Sequence, residues 1–568
     1  MPVSGVPAGR GAPAGASPRH AAPARDAGAP AAPARDASTP APPDRRLLAA
    51  RSLRRAAVVG LAAAVLFVCY WRQSLTQPIS SDGAANALQA WDMLHGNPLL
   101  HGWMLSDVSF YTTELPQYML IEVVHGLGAG VVNLAAAMTY TLLVLLTALL
   151  AKGDATGREG LARSLLAAGI VLAPQLSATS TLLQAPDHTG TAVALLAVWL
   201  LIDRARPHWL VPVAVCVLLA WIMTADTIVL LTGIVPLVVA AAARAGRALA
   251  RGLEPSWHEL SLAGAAVLAA VIGWMAPLLI RSAGGYTVAP VSQRIVHIGH
   301  LPGAARVTFR AVLKIFGADA FGVHSPAELA FTLLHLVGVA RVAWATCLAV
   351  LRFFRARELL IPAFAVAIAV NLAAYMLTGQ SLAATREIAA VLPLGAVLAG
   401  RLLAGPLLAS PAPTGLARRV RFRPVLVVVA AGYLAALGYA AAQPSVPPMN
   451  QPLATWLAAH GFGHGLGGYW QAGSTTLDSG ARVSVSSVVG SGGGLVPGQW
   501  ETRSLDYDPS RRYADFVVVL DYGNYSTQWL RAAAIRAFGP PQQTYVVGRY
   551  TIMKWPGNLL THLGRPGR

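Results

Sequence analysis

The sequence predicts an α-helical polytopic membrane protein with about eleven membrane helices, followed by a C-terminal extracytoplasmic α/β domain. Three observations predict it. The 568 residues are 55% hydrophobic and 12% charged, with a mean hydropathy of +0.53, too little charge to cover a soluble chain of this length. Apolar runs near the roughly 20 residues a membrane helix needs recur through the middle of the chain. Beyond residue 442 the pattern turns into short strands alternating with helices, which reads as a small α/β domain.

Residues 1–55 come first. The stretch "MPVSGVPAGRGAPAGASPRHAAPARDAGAPAAPARDASTPAPPD" is Ala/Pro/Gly/Arg-rich and lacks aromatics. It cannot bury enough apolar surface to offset chain entropy, so it is expected to be disordered. The first apolar core begins too late for a signal peptide. The basic end, Arg45, Arg46, Arg51, Arg54 and Arg55, is expected to stay cytoplasmic.

Residues 56–442 form the predicted transmembrane domain. The candidate helices are 56–73, 131–151, 161–178, 189–203, 209–225, 227–243, 260–280, 327–351, 359–377, 387–405 and 424–442, with 115–130 as an additional short one. With the N-terminus inside, the cytoplasmic connections are "KGDATGRE", "DRARPH", "ARAGRALARG", "RFFRARE" and "ARRVRFR". All carry Arg or Lys, and the short outer connections at 178–188, 226 and 378–385 carry none until Arg386. One frame fits every short loop. It places the long connection 74–130 outside, together with the C-terminal domain 443–568. The formal charge of +18 would suggest nucleic acid in a soluble chain. Here the Arg clusters lie between apolar runs, and no recognition motif accompanies them, so no nucleic-acid partner is expected. Cys69, Cys216 and Cys347 each sit inside an apolar run, which excludes a disulfide framework or thiolate metal site.

In the last domain, "QPLATWLAAHGF" and "TQWLRAAAIRAFG" read as helices, and "ARVSVSSVV" and "ADFVVVLDY" as strands. "QTYVVGRYTIMKW" reads as a strand or hairpin turning near Gly548. "HGFGHGLGGYW" is expected to form turns, its glycines arguing against His460 and His464 as a rigid metal pair. No Walker A, G-x-S-x-G, H-E-x-x-H or G-x-G-x-x-G site is present to suggest other chemistry.

The candidate site residues fall on the predicted outer side. In "PISSDGAANALQAWDMLHG", Asp82, Asn86 and Gln89 share one helix face by their i, i+4, i+7 spacing. Asp82 reads equally as an N-cap before "AANALQAW" and as an active-site acid. Asp107 and Glu114 stand in "SDVSFYTTELP", Asp187 and His188 in "QAPDHTG", Asp226 in "WIMTADTIV", and Arg386 with Glu387 in "AATREIAA". Acids are expensive near a bilayer, so their gathering at one face suggests a site, although any membrane protein has interfacial acids in its loops. Arg306, Arg310 and Lys314 follow an i, i+4, i+8 pattern in "ARVTFRAVLKIFG", an amphipathic helix lying in the interface. It reads either as a contact with anionic headgroups or as recognition of a lipid-linked phosphate, for which Arg is suited.

These stretches resemble the GT-C superfamily of membrane glycosyltransferases, which includes protein O-mannosyltransferases and aminoarabinose transferases. The features that carry the resemblance are the acid of "SSDGAANALQAWDMLHG" just beyond the first helix, the long first outer loop, and "TELPQY" with Pro116 before the second helix. The later segments "PDHTGTAVALLAVWLL" and "TREIAAVLPLGAVLAGR", and a closing soluble domain, complete it. The resemblance implies transfer of a sugar from a polyprenyl-phosphate donor to an envelope glycan, lipid or protein acceptor at the outer face of the plasma membrane. Asp82 would be the general base. Asp187 would be a second acid, orienting the acceptor or helping to hold a divalent cation, which some relatives need and others do not. Glu114 would be a further catalytic candidate. Arg386 or the basic helix would stabilise the phosphate leaving group, with Asn86, Asp107, His188 and Asp226 lining the site. Two other classes explain part of the pattern. A polytopic transporter or lipid flippase accounts for the membrane acids, and a non-catalytic envelope-assembly protein accounts for the outer domain.

Overall fold

The computed structural model describes residues 45–175, 177–291, 294–409, 422–491, 494–521, 523 and 526–564. The arm 1–44 and residues 417–421 of the loop "ARRVRFR" lie outside the described residues. The chain divides into two units, Met1–Val59 and Gly60–Arg568. In the first, residues 45–59 begin helix α1 (Arg45–Ser74). The second holds every other element.

The helices before the C-terminal region are α2 (Ser81–Leu94), α3 (Leu115–His125), α4 (Gly130–Lys152), α5 (Gly157–Val171), α6 (Ser177–Leu182), α7 (Thr189–Arg204), α8 (Leu210–Ala225), α9 (Val235–Leu249) and α10 (Trp257–Ser282). They continue with α11 (Leu301–Ile315), α12 (Pro326–Leu351), α13 (Leu360–Leu377), α14 (Val391–Ala409) and α15 (Phe422–Ala441). Every segment expected to be a membrane helix overlaps α1 or one of these. Six described helices are long and apolar enough to cross a membrane, seven if the pair Leu382–Ile388 and Val391–Pro406, bent by 49°, counts as one span. α10 shows both forces that shape such a helix. Ser256 caps it by accepting from the Glu259 amide, a Ser-x-x-Glu start. Its Val267, Leu268, Val271, Trp274 and Leu278 are exposed, the apolar face a lipid-facing helix presents.

Near the C-terminal end of α7, buried Arg401 of α14 joins four segments. It bonds Asp203 at 2.6 Å and Glu358 at 2.7 Å and donates twice to the Leu150 carbonyl. A buried guanidinium with all its branches occupied is the arrangement in which such a charge is tolerated.

Beyond residue 450 come α16 (Gln451–Ala459), α17 (Tyr469–Asp478) and α18 (Gln528–Phe538). The strands along the chain are β1 (Trp103–Leu105), β2 (Thr287–Val288), β3 (His464–Gly467), β4 (Ser484–Ser491), β5 (Gly494–Pro497), β6 (Thr502–Arg503), β7 (Ala514–Leu520), β8 (Gln543–Val547) and β9 (Tyr550–Lys554). A six-stranded sheet has the order β5-β4-β3-β7-β9-β8, parallel across β4, β3 and β7 and antiparallel at both ends. "ADFVVVL" is buried on both faces. Phe516, Val518 and Leu520 pack with Leu453 and Leu457 of α16, and Val517 and Val519 pack with Leu530 and Ala533 of α18. Alternate residues of a strand point to opposite faces, so this run needs a helix on each side.

The glycine-rich stretch corrects its expected reading as turns. "HGLG" is β3, at the middle of the sheet and buried throughout. Gly465 is required there, because a Cβ would come within 2.4 Å of the Phe516 ring.

Two features hold this region against the helical part. α17 packs on α2, where Leu477 joins the small side chains Ala84 and Ala87. A three-stranded sheet, β2-β1-β6, gathers the first long connection, the segment after α10 and the C-terminal region, with β1 parallel to β2 and antiparallel to β6.

Candidate active site

The site begins where the first turns of α2 and α17 meet. Ser80 caps α2, its hydroxyl accepting from the Gly83 amide at 3.0 Å. Asp82 is therefore not the N-cap, which corrects that reading. Its carboxylate lies in the first turn, where the helix dipole favours negative charge, and stays 25% exposed. Gly83 allows α2 to sit close to α4, since a Cβ would fall 2.9 Å from Val132 and 3.1 Å from Ala185.

Arg386 lies between two carboxylates. Its Nη1 is 2.6 Å from Asp187 Oδ2 and 3.3 Å from Asp82 Oδ2. Asp187 is buried, and its second oxygen accepts from Asn86 Nδ2 at 3.0 Å. Burial raises the Asp187 carboxyl above the usual range, and the adjacent guanidinium opposes that rise. The structure thus joins Asp82, Asn86, Asp187 and Arg386, four of the sequence-predicted residues, from three distant segments. Gln89, predicted on the same face, is buried with neither amide atom hydrogen-bonded.

His188 and Asp226 form a second pair, 2.7 Å apart. Burial alone lowers a histidine's pKa, yet the Asp226 charge outweighs it and brings His188 up to about 9. His188 is thus held protonated at neutral pH, and the stabilisation this gives is lost as pH rises through about 9. Asp226 also accepts from the Ile228 amide, so its place between apolar runs has a structural partner. Asp107 is exposed on the loop between β1 and α3, near enough for the His188 and Asp226 charges to act on it.

Glu114 is not in this cluster. Its carboxylate is fully buried and accepts from the Thr191 amide at 2.8 Å and from the Thr113 hydroxyl, satisfying a free amide at the start of α7. Gly190 makes room, because a Cβ would come 2.8 Å from Glu114 Oε1. Glu114 bonds neither Asp82 nor Asp187, and the geometry makes it a staple between α3 and α7.

The basic helix α11 divides its cations. Arg306 is exposed. Arg310 pairs with Asp319 at 3.3 Å and lies over the Phe321 ring at 4.3 Å. Only Lys314 turns toward the site, donating to the Leu382 carbonyl at 3.1 Å. Burial and the neighbouring Arg386 charge both pull its pKa down. Lys314 and Arg386 are near enough for the charge of one to act on the other, an arrangement that suits an anion binding to both.

Sequence reasoning missed Tyr469 and Glu501. The Tyr469 hydroxyl lies 2.5 Å from Asp82 Oδ1 and also contacts Glu501 Oε2. A phenol has one proton. Donating it to Asp82, Tyr469 accepts from Glu501, which must then be protonated. Burial raises Glu501 well above the usual carboxylate range, and the Asp82 charge adds to that. Glu501 has φ 48° and His188 φ 59°, left-handed conformations that cost a non-glycine residue roughly 1–3 kcal/mol and gather at functional sites.

A carboxyl raised in the folded state stabilises it fully below its unfolded pKa, and that share is lost as pH rises through the folded value. Glu501→Gln, whose amide still donates to Tyr469 but does not titrate, is expected to lose melting temperature less steeply than wild type as pH rises above the ordinary carboxylate range. Identical melting-temperature profiles for the two would remove the protonated Glu501.

The carboxylates do not make a site for a divalent cation. Arg386 stands where an ion between Asp82 and Asp187 would sit, and no group of three His, Cys, Asp or Glu suited to metal occurs among the described residues.

No family model and no curated protein matches the chain. Among solved structures, ArnT from Cupriavidus metallidurans bound to undecaprenyl phosphate is similar over 90% of this chain and 99% of that one, with a TM-score of 0.53 and 16% identity. The same protein in the apo state matches over 91% of this chain and 100% of that one, with a TM-score of 0.51 and 15% identity. The apo oligosaccharyltransferase of Archaeoglobus fulgidus matches 75% of this chain at a TM-score of 0.44 and 15% identity, and this chain spans 64% of its length. With its polytopic helices, its C-terminal sheet and this likeness, the chain has the GT-C fold that its sequence resembles.

Proposed function

We propose that the protein is a membrane glycosyltransferase that moves a sugar from a polyprenyl-phosphate donor to an envelope acceptor at the outer face of the membrane. One observation carries the reading. Asp82 is a partly exposed carboxylate oriented by Tyr469 and beside Arg386, whose charge is in turn felt by Lys314. A base next to an anion site is what this transfer needs. Asp82 takes the proton of an acceptor hydroxyl, the freed oxygen bonds to the anomeric carbon, and the bond from that carbon to the phosphate oxygen breaks. The lipid phosphate leaves as an anion between Arg386 and Lys314. Asp187 and Asn86 hold Arg386 in place, and His188–Asp226 braces the start of α7. The likeness to a protein crystallised with undecaprenyl phosphate supports the donor class.

The reading includes a topology and a domain division. Residues 1–55 are cytoplasmic, 56–442 cross the membrane about eleven times, in line with the charge rule, and 443–568 lie outside. In a variant without reactive native cysteines, an impermeant thiol reagent applied to intact cells is expected to label Ser510→Cys and leave Thr156→Cys unlabelled. Labelling at both positions would remove the frame.

The donor site has its own test. Lys314→Gln is expected to weaken binding of undecaprenyl phosphate to the purified protein roughly ten- to hundredfold, a charged hydrogen bond being worth about 1.5–3 kcal/mol. Unchanged affinity would take Lys314 out of the phosphate site.

A further inference from the structure

We propose that the groove between β1, the Gly284–Gly285 turn and the segment Pro497–Ser504 binds a neutral oligosaccharide, the acceptor chain of the transfer. The inference rests on the glycosyltransferase reading and deepens it. The groove encloses about 510 Å³, within the roughly 300–1,000 Å³ of small-molecule sites and enough for about three linked sugar rings.

Its chemistry is amphipathic and uncharged. No described residue lining it is Asp, Glu, Lys or Arg, although the neighbouring catalytic cluster is dense in such groups. Thr287, Gln499, Thr502 and Ser504 line it, together with the aromatic residues Trp103 and Tyr507. A sugar ring has the matching surfaces: a C–H face that rests on an aromatic ring and a rim of hydroxyls that pair with polar groups. A lipid tail would give the polar residues Gln499 and Ser504 no partner, and a charged ligand would meet no counter-charge.

The two aromatic side chains are fixed in advance. Trp103 Nε1 donates to Asp92 Oδ2 at 2.8 Å, and Asp92 is held in turn by Arg503 at 3.2 Å. The Tyr507 hydroxyl donates to the Ser487 carbonyl. Rings held before binding lose little entropy on binding. The opposite wall includes the Gly284–Gly285 turn. Gly285 packs directly against the chain, since a Cβ there would lie 2.6 Å from Ile280 and 2.8 Å from the Leu99 carbonyl, and Gly284 has φ +82°, so both positions need glycine and the turn presents no side chain to the groove.

Position selects the acceptor over the donor. Trp103, Thr502 and Tyr507 also line a cavity of about 60 Å³ that reaches Ser81, Tyr469 and Glu501. A chain lying in the groove therefore points its end toward the Asp82–Tyr469–Glu501 group. Neither space is lined by α11 or Arg386, the elements assigned to the phosphate.

The test uses the full-length protein in detergent and an array of immobilised neutral oligosaccharides, from single sugars to octasaccharides. Wild type is expected to bind at least one series, with signal rising to about the trisaccharide and then levelling. Ser504→Trp and Gln499→Trp, which fill the groove from two positions on its wall, are each expected to reduce that binding at least tenfold and to leave undecaprenyl phosphate binding unchanged. If one variant fails to fold, the other decides. No glycan binding by wild type, or full binding by a folded variant, overturns the groove. Loss of undecaprenyl phosphate binding in wild type overturns the glycosyltransferase reading instead, so the two failures are distinct.

Discussion

Asp82→Asn is expected to lower sugar transfer roughly 100- to 10,000-fold, the usual cost of removing a general base, while leaving the melting temperature close to that of wild type. The structure separates the two effects. Ser80 already caps α2, so the helix start does not depend on residue 82. An Asn oxygen can still accept from Tyr469, and Arg386 keeps its shorter bond to Asp187, at 2.6 Å against 3.3 Å to Asp82. A partly exposed ion pair of this kind contributes about 0–1 kcal/mol. What Asn cannot do is take a proton. The comparison is thermal melting beside sugar transfer from a polyprenyl-phosphate donor, at equal protein concentration. A folded variant with near-normal transfer would make Asp82 an orienting group and move the base to Asp187. That outcome is disfavoured by burial, since Asp187 is 2% exposed with both oxygens engaged.

Much of this site was legible in the sequence because its cost is legible. Acids and an arginine beside long apolar runs stand out, and Asp82, Asn86, Asp187 and Arg386 do converge. What the sequence does not disclose is who partners whom. The even spacing of Arg306, Arg310 and Lys314 promised one cationic face, but Asp319 takes Arg310 and solvent takes Arg306. Glu114 sits in a segment shared with the site, yet its carboxylate serves the start of α7. Tyr469 lies 387 residues from the aspartate it bonds, in a stretch whose glycines read as turns because glycine is depleted in strands. Those glycines serve a strand in which Gly465 meets a ring, a requirement set by Phe516 and invisible in the local pattern. Glu501 had no spacing signal. Its role comes from burial against a hydroxyl that can donate only once.

Arg386→Gln is expected to act on both stability and binding, and a second substitution separates the two. Removing the guanidinium leaves buried Asp187 with Asn86 as its only remaining hydrogen-bond donor among the described residues. Breaking a buried pair from one side costs roughly 3–5 kcal/mol, and the low end applies because Arg386 is itself partly exposed. Burial already raises the Asp187 carboxyl against the pull of Arg386, so without that pull it rises further. A carboxyl raised in the folded state favours folding in acid and loses that contribution as pH rises through the folded value. The variant is therefore expected to recover stability as the pH is lowered from neutral toward the ordinary carboxylate range. Arg386→Gln with Asp187→Asn removes the uncompensated charge and is expected to melt near wild type at neutral pH. If Arg386 also binds the donor, the double variant regains the fold without regaining undecaprenyl phosphate affinity. If Arg386 only neutralises its acids, stability and lipid binding return together, and the phosphate site must be built around Lys314 alone.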